Sequence, residues 1–370
     1  MKLRRFGRAM AALSISALAL TACGSDNEGD NENADNGSSE EGDILTIGSG
    51  ELIGGGASSQ EAAMTAWSTG INETNPDLTI NYDPVGSGSG REGFLNGQYS
   101  FAGSDAAMDA DEQEQATEIC GDAGVFHVPA YISPVALAFN LEGVDTINMD
   151  ADTIAKVFTG EISSWNDPEI ADQNEGVDLP DTAITVVHRS DDSGTTENFT
   201  EYLAEASDSW DQEPSDAWPS DYTSESAQQT SGVVDLTSST EGAITYADAS
   251  QVGDLGTVAV GVGEEYVEYS PEAAANAAET AEEDPDAEGA LALDRRTEES
   301  GVYPIVLISY HIFCHEYDNE DTANQAKNFA AYVVSEDGQN TAADSAGSAP
   351  ISDGTRDEAM SRIEGIGVQG

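Results

Sequence analysis

Residues 184–203 read ITVVHRSDDSGTTENFTEYL, and the change of period inside this stretch decides the fold. Ile184, Thr185, Val186 and Val187 form a β-branched run that predicts a buried strand. Small and polar residues follow from Ser190 to Thr196. Beyond them Phe199, Tyr202, Leu203 and Ala206 recur at spacings of three and four, which predicts a helix. A strand, a turn of small residues and a helix start is the repeating unit of an α/β protein.

The same alternation extends along the chain. Strands are expected at 44–47, 78–82, 126–128, 135–139, 184–187, 243–246, 257–262 and 302–313. Helices are expected at 62–71, 94–96, 154–158, 199–206 and 323–334. Residues 207–230 carry Trp210, Trp218 and Tyr222 among Ser, Asp and Pro and read as an ordered loop with a short helix. The Ala/Glu-rich segment 271–290 suits an exposed helix or surface excursion.

Two further segments repeat the grammar of 184–203. Gly54-Gly55-Gly56-Ala57-Ser58-Ser59-Gln60 precedes EAAMTAW. Val85-Gly86-Ser87-Gly88-Ser89-Gly90 follows LTINY and precedes REGFLNG. Helix starts expose unpaired N–H groups and partial positive charge, and Ser or Thr adds hydroxyl donors. Three such turns in one chain, one of them holding Arg189, point to an anion site.

Composition constrains what that anion is. The 370 residues carry 71 Asp+Glu against 12 Lys+Arg, a net charge of −59, with an apolar fraction of 38%. Such a chain is a poor ligand for nucleic acid or anionic lipid. Its long-range field repels anions, so an anion site must work through local, dehydrated donors. Phe101-Ala102-Gly103-Ser104-Asp105 adds a carboxylate to the set. Asp105 favours a bound anion only if that anion still has a proton to donate. Monohydrogen phosphate has one and sulfate has none.

The N-terminus addresses the chain outward. Residues 1–22, MKLRRFGRAMAALSISALALTA, combine a basic start with a short apolar run and read as a secretory signal. Leu20-Thr21-Ala22-Cys23 is similar to a bacterial lipobox, so Cys23 is expected to carry lipid. Residues 24–42 contain no large apolar side chain and read as a disordered acidic tether, so that 23–43 link the lipid to the body. Removing the signal leaves 8 basic residues against the same 71 acids, a charge of −63. Cys120 and Cys314 then remain in an oxidising compartment, where a disulfide is expected. His311, Cys314 and His315 also suggest a metal site, but they sit in an apolar strand where polar side chains have structural partners, and no metal is expected.

In the order of these motifs the chain resembles the phosphate-binding lipoproteins of bacterial phosphate ABC transporters, the PstS-like solute-binding proteins. Gly54–Ser59, Val85–Gly90 and the Phe101–Asp105 segment are similar to the family's two glycine turns and its FxxSD motif. Ser133–Asn140 resembles the strand that enters the second lobe. Phe158–Asp167, with Gly160, Ile162 and Trp165, resembles FxGxIxxWxD, and Arg189–Thr195 resembles R-x-D-x-SGT; Gly242–Tyr246 and Val302–Ile305 continue the likeness. The resemblance covers 44–370 and implies an α/β, two-lobe periplasmic-binding-protein-like (type II) fold with the ligand cleft between the lobes. Lobe 1 would combine 44–137 with 308–370, and lobe 2 would be 138–307. It implies phosphate donors from Ser58, Ser59, Ser87, Ser193, Gly194 and Thr195, a charged partner in Arg189, a proton acceptor in Asp105, and Asp191 holding Arg189. It departs from the family at Ser58-Ser59, where Thr-Phe is common, and at Asp192, where Gly is common.

The function implied is capture of inorganic phosphate and delivery to ABC permease subunits. The protein would be a lipid-anchored extracytoplasmic monomer without cofactor or catalytic activity. The alternatives are another tetrahedral oxyanion, sulfate or molybdate, and an exported phosphoester-processing enzyme. Gly88-Ser89-Gly90-Arg91-Glu92-Gly93 formally fits a dinucleotide-binding GxGxxG, but no further element of such a site accompanies it.

Overall fold

The longest apolar run, Val125–Phe139, is one strand with all fifteen residues buried. A strand buried at every position, here including the polar His127 and Ser133, has both faces covered. A computed structural model of the chain describes residues 44–279 and 281–370; the expected signal peptide, Cys23 and the tether lie outside the described residues. In chain order the strands are β1 (Gly50–Gly56), β2 (Leu78–Asp83), β3 (Phe101–Ser104), β4 (Val125–Phe139), β5 (Thr146–Met149), β6 (Thr185–Arg189), β7 (Glu225–Ala227), β8 (Ala243–Asp248), β9 (Gly256–Val262), β10 (Glu265–Val267), β11 (Glu282–Glu283), β12 (Leu291–Ala292), β13 (Val306–Cys314), β14 (Glu316–Tyr317) and β15 (Gly367–Val368).

The main sheet runs β2-β1-β3-β13-β4-β8-β6-β7, with β9 also on β4 and carrying β5 and β10. Its two halves meet on β4. Val125 to Pro134 of β4 pairs antiparallel with β13, and Val135 to Phe139 pairs antiparallel with β8. The sequence suggested two separate short strands here, 126–128 and 135–139, and Pro129 and Pro134 lie between them. Both prolines are accommodated by irregularities in the ladder. Pro134 stands where the partner changes from β13 to β8, and Pro129 stands beside a bulge opposite Ser309 and Tyr310. The bulge leaves the carbonyl of Ala130 to accept from Gln339 Nε2 at 2.7 Å.

Helices cover the sheet: Glu61–Thr74, Ser87–Leu95, Ala110–Cys120, Ala151–Thr159, Pro168–Ala171, Gly194–Ala206, Gln229–Ser239, Pro271–Glu279, Glu320–Val334, Glu336–Ala346 and Asp353–Glu364. Trp67, Phe101, Phe126, Phe313 and Phe329 fill one side of the core, and Phe139, Phe158, Trp165, Phe199 and Tyr246 fill the other. Cys120 ends one helix and Cys314 ends β13, and the two are disulfide-bonded with a Cα–Cα distance of 5.1 Å.

Several expectations are corrected. Residues 44–47 form no strand; the first strand begins at Gly50. Residues 207–224 hold no helix, and their aromatics instead pack together, Trp210 tilted against Trp218 at 5.7 Å and Trp218 stacked on Tyr246 at 5.6 Å. Gly54-Gly55-Gly56 is not a turn but the end of β1. These glycines clear space for neighbours. A Cβ on Gly54 would strike the Phe101 ring, one on Gly56 would lie 1.8 Å from the Gly103 carbonyl oxygen, and Gly56 has φ +152°. Gly90, in the facing helix, comes so near that its own Cβ would lie 2.3 Å from the Gly56 Cα. The GxGxxG glycines therefore sit inside a helix and serve close packing.

Candidate functional site

Four helix starts converge where the halves of the sheet meet. Ala57 follows β1, and the 3-10 turn Ser58–Gln60 leads into the Glu61–Thr74 helix. Ser87 opens its helix beyond Gly86, which has φ +102°. Ser193 caps the Gly194–Ala206 helix by accepting from Thr196 N–H. The fourth start, Gln229–Thr230, opens a helix that the sequence reading missed. Its signal was present in Val233, Val234 and Leu236, but Gly232 and the Ser and Thr residues on either side diluted the period.

Asp105 stands just past β3 and is 3% exposed. Its Oδ1 accepts from Ser59 Oγ at 2.8 Å and from Ser309 Oγ at 2.7 Å. Its Oδ2 accepts from Ser59 Oγ at 2.6 Å and from Thr195 Oγ1 at 3.2 Å. Burial pushes the carboxyl above its usual range, while the hydroxyls of Ser59, Ser309 and Thr195 and the charge of Arg189 pull the other way. Its own N–H donates to Ser87 Oγ at 3.2 Å, which leaves the Ser87 proton free to point elsewhere.

Arg189 ends β6 and is buried. Its Nε donates to Asp191 Oδ1 at 2.8 Å and its Nη2 to Asp191 Oδ2. This two-point pair uses one edge of the guanidinium and leaves the edge with Nη1 outside it. Burial opposes the Asp191 charge, but Arg189 and the Gln229 N–H at 3.0 Å hold its carboxyl below the usual range. Gln229 is the one non-glycine residue with positive φ among those described, at 63°, and this conformation brings its N–H to Asp191.

The expected residues are thus brought together. Ser58, Ser59, Ser87, Asp105, Arg189, Ser193 and Thr195 are each at most 3% exposed. Gly194 has no room for a side chain, since its Cβ would lie 2.7 Å from Ser87 Oγ and 2.9 Å from Asp105 Cβ. The Ser193 N–H donates to the Asp216 carbonyl at 2.9 Å and its Oγ accepts from Thr196 N–H, which leaves the Ser193 hydroxyl proton free, as at Ser87. Asp192 is exposed, and only its carbonyl faces inward, accepting from Gly88 N–H at 3.2 Å. The sequence did not reveal Thr230, whose N–H and hydroxyl meet Ser58 Oγ, both at 3.1 Å. It also did not reveal Ser309, or Gln251, which donates to the Ser58 carbonyl at 3.1 Å.

The other chemistry-bearing residues have structural partners. His188 stacks on Trp218 at 5.6 Å, and burial holds its imidazole below the usual range. His311 faces Gln60, Cys314 is in the disulfide, and His315 faces Glu288. A cavity of about 310 Å³ touches Asp105 and Asn198, but Asp109, Glu197, Glu201, Asp284 and Asp286 line it and Arg189 does not. It is a poor seat for an anion.

Arg189 is already paired with Asp191, the buried Arg91 is held by Glu112 and Asp216, and the buried carboxylates Asp105 and Asp248 add negative charge. Attraction for an anion rests on helix starts and hydroxyls, and a second negative charge is tolerated if the ligand brings a proton for Asp105.

Comparison with known proteins agrees with this geometry. The model of the PBP superfamily domain matches residues 35–337. The phosphate-binding protein PstS2 of Mycobacterium bovis is 33% identical across 90% of this chain and 92% of its own length. PstS 3 of Mycobacterium leprae is 34% identical across 95% and 96%. Among solved structures, a high-affinity periplasmic phosphate-binding protein bound with phosphate aligns over 86% of this chain and all of its own, with a TM-score of 0.68 and 20% identity. A phosphate ABC transporter substrate-binding protein from Clostridium perfringens covers 82% of this chain, with a TM-score of 0.60 and 19% identity. The architecture is the two-lobe periplasmic-binding fold. A family match along most of the length, and a third identity to relatives along nearly whole chains, make this chain a member of the PstS phosphate-binding proteins of the PBP superfamily.

Proposed function

We propose that the protein binds inorganic phosphate between its lobes and delivers it to an ABC permease. The observation that carries this reading is the buried Asp105 carboxylate facing the Gly194–Ala206 helix start, with Thr195 Oγ1 at 3.2 Å from Oδ2 and paired Arg189 nearby. An acceptor among donors suits an anion that keeps one proton. Ser58 and Ser87 would offer hydroxyls, Ser59 and Thr195 would turn theirs from Asp105 to the ligand, and Gly194 and Thr195 would add their first-turn N–H groups, which have no intrahelical acceptor. Asp105 would take the ligand proton, and Arg189, held by Asp191, would face the oxygens. Ser193 would cap the helix start with its oxygen and offer its hydroxyl proton to the ligand.

We place lobe 1 at 44–137 with 308–370 and lobe 2 at 138–307; the change of partner on β4 between Pro134 and Val135 supports the first crossing. The chain acts outside the cytoplasm as a monomer, anchored through lipid on Cys23, and catalyses nothing. Among the described residues no helix is long and apolar enough to cross a membrane. Calorimetry of the purified protein with phosphate, sulfate and molybdate tests the reading. Tight binding of phosphate alone is expected. Equal or tighter binding of sulfate or molybdate would replace it with a general oxyanion carrier.

A further inference from the structure

Behind Asp105 lies a line of polar side chains that the anion never reaches. Gln60, Ser309 and His311 each have 0% exposure. Ser309 and His311 alternate on one face of β13, opposite the start of the Glu61–Thr74 helix where Gln60 sits. His311 Nε2 meets Gln60 Oε1 at 3.1 Å, Gln60 Nε2 meets Ser309 Oγ at 2.7 Å, and Ser309 Oγ meets Asp105 Oδ1 at 2.7 Å.

The direction of every proton in this line is fixed by one backbone group. Gln60 Nε2 also lies 3.0 Å from the Tyr310 carbonyl oxygen, which can only accept. The amide nitrogen must therefore be on that side, and Oε1 must face His311. His311 then carries its proton on Nε2. Its Nδ1 has no partner, as suits a bare ring nitrogen among Trp67, Phe101 and Phe329. Burial holds that imidazole far down, at about 3, so it stays neutral. Ser309 Oγ already receives an N–H from Gln60, so its own proton goes to Asp105.

We infer that the relay His311–Gln60–Ser309 sets ligand specificity by fixing the Ser309 hydroxyl as a donor to Asp105, which holds that carboxylate ionised as an acceptor for a ligand proton. The inference rests on the phosphate reading above. Oδ2 is the oxygen that Thr195 approaches from the facing helix start. Ser309, Ser59 and Thr195 give the carboxylate three hydroxyl protons against about four acceptor sites, which leaves one for a ligand proton. A sulfate ion leaves that site facing another acceptor. Ser309 is thus a positioning residue, acting through Asp105. The other groups that bear on the Asp105 charge are Arg189 on β6, Asp248 on β8, Tyr82 on β2 and Tyr131 on β4. Burial holds both tyrosines well above their usual range, so they stay neutral.

The test compares the wild type with Ser309→Ala, Ser309→Thr and Gln60→Met. Phosphate and sulfate affinities are measured across pH 4–9, and the Asp105 carboxyl is titrated by carbon-13 NMR without phosphate. Ser309→Ala is expected to weaken phosphate by about 10-fold or more, the worth of a hydrogen bond to a charged group, and to narrow the phosphate-to-sulfate ratio. It should also move the Asp105 titration upward, so that binding fades at higher pH. Ser309→Thr should restore all three, and Gln60→Met should reproduce the alanine effect in part. Should Ser309→Ala prove unfolded, Gln60→Met is judged by the same readouts. Unchanged affinity ratio and Asp105 titration in a folded variant overturn the relay. If the wild type binds no phosphate, the functional reading fails by itself, and the NMR titration alone decides the relay: an upward shift sustains it and no shift removes it.

Discussion

Thr195 donates its hydroxyl to Asp105 Oδ2 at 3.2 Å, joining a helix start and a β3 carboxylate that are 90 residues apart. Around this contact every expected donor is buried and local. Such donors are little affected by ions in solution, because screening acts on exposed charges. The −59 charge of the chain therefore stays outside the chemistry of the site.

Arg189→Ala removes the cation paired with Asp191 and leaves that carboxylate without its charged partner. A loss of about 3 kcal/mol or more in phosphate binding is expected. Calorimetry on the folded variant measures it, and wild-type affinity would remove Arg189 from the site.

Asp105→Asn replaces an acceptor with an amide that also donates. Phosphate should bind more weakly and sulfate should be better tolerated. If parallel titrations show both affinities unaltered, Asp105 senses no ligand proton.

Gly90→Ala would ordinarily favour a helix by about 1 kcal/mol. Here the new Cβ would lie 2.3 Å from Gly56 Cα and 2.6 Å from the Gly55 carbonyl oxygen. The helix must back away, and a net destabilisation of about 1–3 kcal/mol is expected. A fall in the midpoint of thermal unfolding checks it, and a rise would contradict the close packing.

Asp248 on β8 is 1% exposed, and burial pushes its carboxyl up to about 6, with Ser250 and Ser133 hydroxyls partly opposing this. The folded chain then holds a proton that the unfolded chain gives up. Its contribution is present below about pH 4 and is lost as pH rises through 6, by about 3 kcal/mol in all. Asp248→Asn should flatten this fall, so its advantage over wild type grows from pH 4 to pH 7. Denaturant unfolding at both pH values reads the difference.

The Cys120–Cys314 disulfide closes a segment with a sequence separation of 194. Removing it by paired Cys→Ser changes should cost about 4–5 kcal/mol through the freed unfolded chain. The thermal midpoint should fall, and mass spectrometry of the wild type should find no free thiol in the pair.

Much of the site was legible because its chemistry is local. Arg189, Asp191, Ser193 and Thr195 lie within seven residues, and a β-branched run before them and an apolar period after them predict the strand and the helix. The same holds for Ser87 and for Asp105 at the end of β3. Where the local signal was equivocal, tertiary structure overrode it. Gly54-Gly55-Gly56 has the composition of a turn, yet it completes β1 because Phe101, Gly103 and the Gly90 helix need the space of the missing side chains. Pro129 and Pro134 look like strand breakers, yet β4 continues because a bulge and a change of partner fall at those positions.

By itself the sequence determined the α/β alternation, the residues that present donors at helix starts, and the excess of acid that excludes nucleic acid. These depend on neighbours within one or two turns of chain, where periodicity and capping act. Only the tertiary structure decided that Thr230 would meet Ser58 across 172 residues, and that Ser309 would meet Asp105 across 204. Such contacts exist because the sheet's two halves share β4 and bring distant segments to one buried point, and no spacing along the chain encodes that distance.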